Sequence, residues 1–517
     1  MRVLLYVTCL ALTTTVCKSA KILCVFPAPV YSHQIVFRPF VEELARRGHE
    51  VTFITPHPMQ ESVQNLKQIS IQASIEDIKF AALKDELKDA DDIVSQQKVA
   101  FRAIYKTFDR ILGNDLKDFV NSKENFDIVL VEACVRLNLM FGHIFKAPVI
   151  QVSSFGGVFD TFEMVGAATH PLLYPLAIRE KFKNLTYVDK IHEVVGLYDV
   201  VKVYEDCEKP EDDLLKKHLG SDFPSLKDLK QNVDMVFLNV YPIWDSNRPV
   251  PPNVVYLGGL HLRKVKNLPK DLKAKLDAAK NGAIYMSFGS TINSSMFNMA
   301  KLNMFLRVVS KLPYTVFLKW DADVDNVPEN VVVGKWFPQR DLLKHPSIKL
   351  FITQGGLQST DEAIDAGVPL VGVPILWDQW LNVDKIVELG IGVMCNIRDV
   401  TEDSFRAAID TVLKDRRAAI DTVLKDRRYK ENIDNLRTVI NDQPQTALER
   451  AVWWTEYVIR HKGAKHLRSP AFDMSAKDYY EIKLILSVIL VCTLVLGLIY
   501  KLCVIVLSIF KRKTKVE

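Results

Sequence analysis

The feature that most restricts how this chain can fold is a proline-dense break, Arg248-Pro249-Val250-Pro251-Pro252, with strand–helix alternation on both sides of it. Consecutive prolines suit neither a helix interior nor a central strand, because each ring removes an amide donor and fixes φ. Before the break, Ile22 to Pro27 reads as an apolar strand, Pro27 to Ser32 as a turn-rich loop, His33 to Arg47 as a helix closed by Gly48, and Val51 to Ile54 as the next strand. Phe126 to Val131 and Val149 to Val152 read as further parallel strands, and the amphipathic stretches near 60–120 and 160–230 as helices covering them. After the break the alternation restarts, with strands at Ala283 to Phe288, Thr315 to Lys319, Val331 to Lys335, Lys349 to Thr353, Leu370 to Pro374 and Gly392 to Cys395. Two such halves predict an α/β chain of two Rossmann-like, doubly wound domains facing a cleft. A length of 517 residues, too great for one compact core, agrees.

The two ends predict a topology. Arg2, the mostly apolar run Val3 to Val16 and the small residues Cys17 and Ser19 read as a signal peptide over 1–19. A second apolar run, Leu484 to Tyr500 and on past Lys501 to Phe510, is long enough for one membrane span if Lys501 snorkels to the interface. Tyr479 and Tyr480 flank one edge, and Lys511, Arg512, Lys513 and Lys515 the other, so the positive-inside bias puts the tail in the cytosol. The expectation is a single-pass type I protein with a lumenal body, a span over 481–510 and a cytosolic tail over 511–517. The terminal Lys513-Thr514-Lys515-Val516-Glu517 resembles the lysine-based signal that returns membrane proteins to the endoplasmic reticulum, and that membrane is the location expected.

Composition excludes more than it assigns. A net charge of +5 is small for this length, and no basic block is interleaved with aromatics, so no nucleic-acid partner is expected. Cys24, Cys134, Cys207 and Cys395 lack metal or disulfide-framework spacing; Cys24, Cys134 and Cys395 lie in strand-like runs as inert core thiols. Asn184-Leu185-Thr186 and Asn293-Ser294-Ser295 are N-glycosylation sequons, and the first is the more usable because the second adjoins the site below. Arg406 to Arg416 recurs letter for letter at Arg417 to Arg427. Eleven residues are close to three helical turns, so the copy keeps its apolar stripe; it reads as a duplication or an assembly artefact, since a solenoid needs three or more units.

In open parallel sheets, ligands bind beyond the carboxyl ends of the strands. The second half places polar residues at four such ends: Gly289 and Ser290, then Trp336 and Gln339, then Gln354 to Ser359, then Asp378, Gln379 and Asn382. Gly355-Gly356 lets a ligand approach the backbone, and a helix beginning near Ser359 offers free amides to an anion such as a diphosphate. Ser359-Thr360-Asp361-Glu362 also has the form of a capping box, and both roles stand open at this point.

Trp336-Phe337-Pro338-Gln339, then Phe351 to Glu362 (FITQGGLQSTDE), then Gly367-Val368-Pro369 and Asp378-Gln379-x-x-Asn382 together resemble the donor signature of the UDP-glycosyltransferases. The ordered pattern is highly specific, covers nearly the whole chain, and in its Thr-Gln-Gly-Gly form looks most like insect microsomal enzymes and viral ecdysteroid UDP-glucosyltransferases. The resemblance implies the GT-B fold, with an acceptor-binding domain over 20–247, a linker over 248–260, a UDP-sugar-binding domain over 261–445 and C-terminal helices with a juxtamembrane segment over 446–480. It implies inverting transfer of a hexose, glucose by likeness to insect members, from a UDP-sugar to a hydroxyl of a small lipophilic acceptor such as a phenol, steroid or plant toxin. Trp336 would stack on uracil, with Gln339 at its edge. Ser290, Gly356, Gln358 and Ser359 would surround the diphosphate, Glu362 the ribose, and Asp378 with Gln379 the sugar. Gln354 stands where many members have histidine, and an amide donates to phosphate without carrying charge.

By the same resemblance His33 is the base that takes the acceptor proton, a task suited to imidazole. Glu132, where the family usually has aspartate, is its acidic partner. Asp321-Ala322-Asp323-Val324-Asp325 has the form of a metal-binding motif but reads as a solvated acidic turn. No metal or other cofactor is expected, the UDP-sugar being a co-substrate, and a homo-oligomer is compatible with the sequence. The competing class is a non-catalytic lumenal binder of lipophilic ligands with a vestigial donor site, against which the presence of His33 together with the full donor set argues.

Overall fold

The computed structural model describes residues 19–72, 93–175, 184–290, 297–414, 428–472, 474 and 476–513. Most of the expected signal peptide (residues 1–18), Asn293, the whole second repeat copy and the last four residues lie outside them.

The first sheet has seven parallel strands: β1 (Lys21–Val25), β2 (Glu50–Thr55), β3 (Leu66–Ser70), β4 (Ile128–Glu132), β5 (Val149–Ser153), β6 (Val233–Leu238) and β7 (Val254–Tyr256). Their spatial order is β3-β2-β1-β4-β5-β6-β7. The central strands β4, β5 and β6 are buried along their whole length, as expected of a parallel sheet covered by helices on both faces. The second sheet runs β8 (Ala283–Ser287), β9 (Thr315–Lys319), β10 (Val331–Gly334), β11 (Ile348–Thr353), β12 (Leu370–Gly372) and β13 (Gly392–Met394), in the order β10-β9-β8-β11-β12-β13. In both sheets the order reverses at one pair, β1/β4 in the first and β8/β11 in the second, and such a switch point opens a crevice at the strand ends. This is the expected pair of doubly wound α/β domains.

The helices that matter to the site are α1 (Tyr31–Arg46), α2 (Ile93–Gly113) and α3 (Tyr187–Leu219) in the first half. In the second they are α4 (Met299–Ser310), α5 (Gln339–Leu343), α6 (Leu357–Ala366), α7 (Gln379–Glu388) and α8 (Glu402–Lys414). Three expectations change. β7 falls inside the expected linker: Val254 N–H bonds Pro251 O, so the prolines turn the chain into an edge strand of the first sheet, and Leu257 and Leu260 still pack in that half. β3 lies within the stretch read as helical, because its sequence LKQIS is an edge strand with little apolar content to mark it. α6 begins at Leu357, with Gly356 at the N-cap position and no side-chain cap bond, so the capping-box reading of Ser359 fails.

The first repeat copy forms most of α8, with Ile409, Val412 and Leu413 buried. Past the second sheet, α9 (Arg428–Asn441) leads to α10 (Ala447–His461), which returns to the first half. Ala451, Val452 and Val458 join the core beneath β1, β4 and β6, and Ala464 N–H donates to Asp234 Oδ1 at 2.7 Å. The terminal helix α11 (Ile482–Lys513) holds a 27-residue apolar stretch, Ile482–Ser508, with none of it buried. At 1.5 Å per residue that is about 40 Å, more than a bilayer core requires.

Candidate active site

A cavity of about 930 Å³ opens between the strand ends of the two sheets. On the first-domain side, the β1–α1 loop is tied down from within. Gln34 Nε2 donates to Phe26 O at 2.9 Å and Ala28 O at 3.1 Å, while Thr55 Oγ1 donates to Gln34 Oε1. His33 therefore lies in the first turn of α1, not in the loop ahead of it, and its ring lines the cavity. Glu132 ends β4, fully buried, with its Oε1 2.7 Å from His33 Nδ1 and its Oε2 accepting the Ala28 amide at 3.0 Å. A carboxylate only accepts, so Nδ1 carries the proton and Nε2 is left as the basic nitrogen. The β1/β4 switch point thus brings together residues 99 positions apart.

Cys134, expected as an inert core thiol, lines the cavity instead and donates to Glu132 Oε1 at 3.6 Å. His33, Glu132 and Cys134 have the proximity of metal ligands. The Glu132 carboxylate accepts from all three donors near it, the Ala28 amide, His33 Nδ1–H and the Cys134 thiol, so the trio is joined as a hydrogen-bonded group. The rest of this side is apolar, with Ile104, Phe108, Phe155, Phe159, Val200 and Tyr204 among the lining residues. Its back is held by a residue the sequence did not mark: Arg136, 2% exposed, donates twice to Tyr204 O at 3.2 Å, pairs with Glu211 and stacks over Phe101. Burial pushes Glu211 up to about 7 even against that guanidinium.

On the second-domain side every expected donor residue lines the cavity: Ser290, Trp336, Gln339, Gln354, Gly356, Gln358, Ser359, Glu362, Asp378 and Gln379. Trp336 stands 59% exposed at the mouth, edge-on to Tyr31 at 5.5 Å. Gln339 Nε2 bridges Ser359 Oγ and Glu362 Oε2, both at 2.9 Å. Burial raises Glu362 to about 7 against the opposing pull of Gln339, Arg340 and Arg263. The Gln354 amide lies against two glycines. A Cβ on Gly289, at φ +80°, would fall 2.1 Å from its Nε2, and one on Gly356 3.0 Å from it. The uncapped first turn of α6 leaves backbone N–H groups at the cavity wall beside this amide. Gln379 Oε1 accepts from Ile375 N and Leu376 N at 2.9 Å, which turns its NH2 into the donor end. Asp378 is raised by burial, opposed by its bond from Asn382 and by the charge of His33, which places the carboxylate within electrostatic reach of the imidazole.

Two placements were not foreseen. Gln358 gives its amide to Ser154 O across the cleft at 2.9 Å, so it joins the domains as well as lining the cavity. Lys319, the last residue of β9, brings an ammonium to Gly289 O at 2.8 Å, and burial lowers its pKa. The acidic turn Asp321, Asp323 and Asp325 is exposed and outside the cavity lining.

A family model described as UDP-glucoronosyl and UDP-glucosyl transferase matches residues 20–516. The chain belongs to that family. Among relatives of this UDP-glycosyltransferase, the "Ecdysteroid UDP-glucosyltransferase" of Spodoptera littoralis nuclear polyhedrosis virus is 36% identical over 496 residues, covering 91% of this chain and 94% of the relative. The "UDP-glycosyltransferase UGT5" of Dactylopius coccus is 28% identical over 501 residues, covering 93% and 91%. Among solved structures, the calicheamicin glycosyltransferase CalG4 aligns with a TM-score of 0.54 at 17% identity over 86% of this chain and 99% of that one. Os79 from O. sativa aligns with a TM-score of 0.57 at 14% identity over 84% and 100%. These likenesses show the GT-B fold of the UDP-glycosyltransferase.

Proposed function

We propose that this enzyme moves glucose from UDP-glucose to a hydroxyl of a small lipophilic acceptor, with inversion at the anomeric carbon. The observation that carries the reading is the His33–Glu132 pair at 2.7 Å, facing the donor residues across one cavity. The acceptor lies against the apolar wall of α2 and α3, with its hydroxyl at His33 Nε2. As the hydroxyl oxygen attacks the anomeric carbon, its proton passes to Nε2 and the bond from that carbon to the β-phosphate oxygen breaks, the electron pair leaving with UDP. Glu132 holds the ring and stabilises the imidazolium. Attack on the face opposite the departing UDP inverts the configuration. Charge growing on the diphosphate meets the first-turn amides of α6, the Gln354 amide and the Lys319 ammonium, so the proposal needs no metal. Trp336 takes the uracil, Gln339 its edge, Ser290, Gly356 and Ser359 the diphosphate, Glu362 the ribose, and Asp378 with Gln379 the sugar.

The test is release of UDP from UDP-glucose, in parallel with UDP-glucuronate, in the presence of a phenol or steroid. A folded protein that releases no UDP from either donor would sink the catalytic reading. The proposal includes a lumenal body anchored by α11 in the endoplasmic reticulum membrane, with the tail in the cytosol. Asn184, exposed just before the Thr186 cap of α3, gives the side to be checked: Asn184→Gln should abolish an endoglycosidase-sensitive mass shift.

A further inference from the structure

The loop after β6, Tyr241 to Arg248, belongs by chain order to the first domain but lies against α7 of the second. Trp244, 3% exposed, donates its indole N–H to Asn382 Oδ1 at 2.9 Å, and Asn382 donates Nδ2–H to Asp378 Oδ2, also at 2.9 Å. An indole N–H can only donate and a carboxylate can only accept, so the carboxamide between them satisfies both in a single orientation. One helical turn further, Lys385 Nζ donates to Ser246 Oγ at 3.0 Å, so α7 docks on the loop at two points. A bonded path thus runs from a buried side chain of the acceptor half to the carboxylate that feels His33, joining residues 138 positions apart in different domains.

We infer that Trp244 is a positioning residue for the donor sugar. Through Asn382 it fixes the Asp378 carboxylate, holding Oδ2 and leaving Oδ1 to accept one sugar hydroxyl, and so it sets which hydroxyl configuration is taken. The order of the sugar subsite then depends on the two domains being together, because the fixing bond crosses between them. The nucleotide contacts, on α5, α6 and the β8 end, are outside this path. The inference rests on the reading of Asp378 as a sugar ligand.

Trp244→Phe in the full-length, detergent-solubilised enzyme keeps the aromatic packing and removes the N–H. The expected result is a rise of about tenfold in KM for UDP-glucose and a fall of about tenfold in the preference for UDP-glucose over UDP-galactose, with the Kd of UDP, which has no sugar, unchanged within about twofold. Asn382→Leu, which cuts the path in its middle, should give the same pattern and decides the matter if Trp244→Phe does not accumulate. Lys385→Met, which breaks only the second docking point, should leave the sugar preference unchanged. On an Asp378→Asn background, Trp244→Phe should add no further loss. Equal weakening of UDP and UDP-glucose by Trp244→Phe, or a full additive loss on the Asp378→Asn background, would overturn the inference. If Asp378→Asn alone leaves sugar preference intact, the assignment of Asp378 fails; if it shifts the preference and Trp244→Phe does not, the positioning role of Trp244 fails.

Discussion

The two halves of the cavity are built on the same strand order, with the ligand space at the same kind of switch point, yet they do opposite things with it. At β1/β4 the chemistry is carried by side chains: an imidazole, a buried carboxylate and the amides and hydroxyls that hold them. At β8/β11 much of it is carried by backbone, in Gly289 and Gly355, at φ +80° and +85°, and in a helix start without a side-chain cap, with side chains arranged around them. A shared fold fixes where a site is and leaves open what it is made of. On the proposed mechanism, the first half depends on a few atoms whose loss removes a step, and the second on a shape whose disturbance weakens a complex.

That contrast can be broken in order of expected size. His33→Ala should lower kcat by about 10³-fold, and Glu132→Gln by about 10²-fold, with UDP affinity intact by calorimetry. Retained turnover in His33→Ala would remove it from the mechanism. Gly289→Ala, which strains a φ of +80° and drives a methyl into the Gln354 amide, should instead raise KM for UDP-glucose by about tenfold with a smaller change in kcat. A kcat loss as large as that of His33→Ala would erase the distinction between the two halves. Lys319→Met should raise KM for the donor by about fivefold and reduce its salt dependence, measured by initial rates.

The smallest effect concerns stability. Glu362 is raised from its ordinary 4.5 to about 7, so the folded chain holds a proton that the unfolded chain has lost. The stability it contributes is present below about pH 4.5 and lost as pH rises through about 7. Glu362→Gln should therefore stabilise the ligand-free protein by about 1 kcal/mol at pH 8 and flatten the decline between those values, read by thermal unfolding.

The same contrast governs what could be read from the sequence. Donor residues follow strands directly, in short contiguous runs such as Gln354 to Ser359, so pattern and family likeness both point at them. Lys319 did not stand out, because a lysine ending a strand usually reaches for solvent. Trp244 did not either, because its partner is 138 residues away and an indole in an apolar run looks like core. The apolar wall of Phe159, Val200 and Tyr204 has the composition of any packed interior, and only the cavity separates lining from core. β7 was hidden by the prolines that introduce it. Gln358 lies at the cavity wall in a run that the sequence marks, but its bond to Ser154 depends on how two domains meet, which spacing along one chain does not encode.

The return of α10 to the first half has a mechanical consequence. Among the described residues, the segment leading out to α11 is tied to that half: Ala464 to Asp234, Arg468 to the carbonyls of Gln231 and Val233, and Ala471–Phe472 against Gly166. Whatever α11 is fastened to, the first half is fastened with it. The second half is joined to the first by two chain segments, one entering after β7 and one leaving through α9, and by the Gln358–Ser154, Trp244–Asn382 and Lys385–Ser246 bonds. Any opening of the cleft would have to break those three bonds, and it would move the second half relative to α11 while the first half kept its ties to the segment beside that helix.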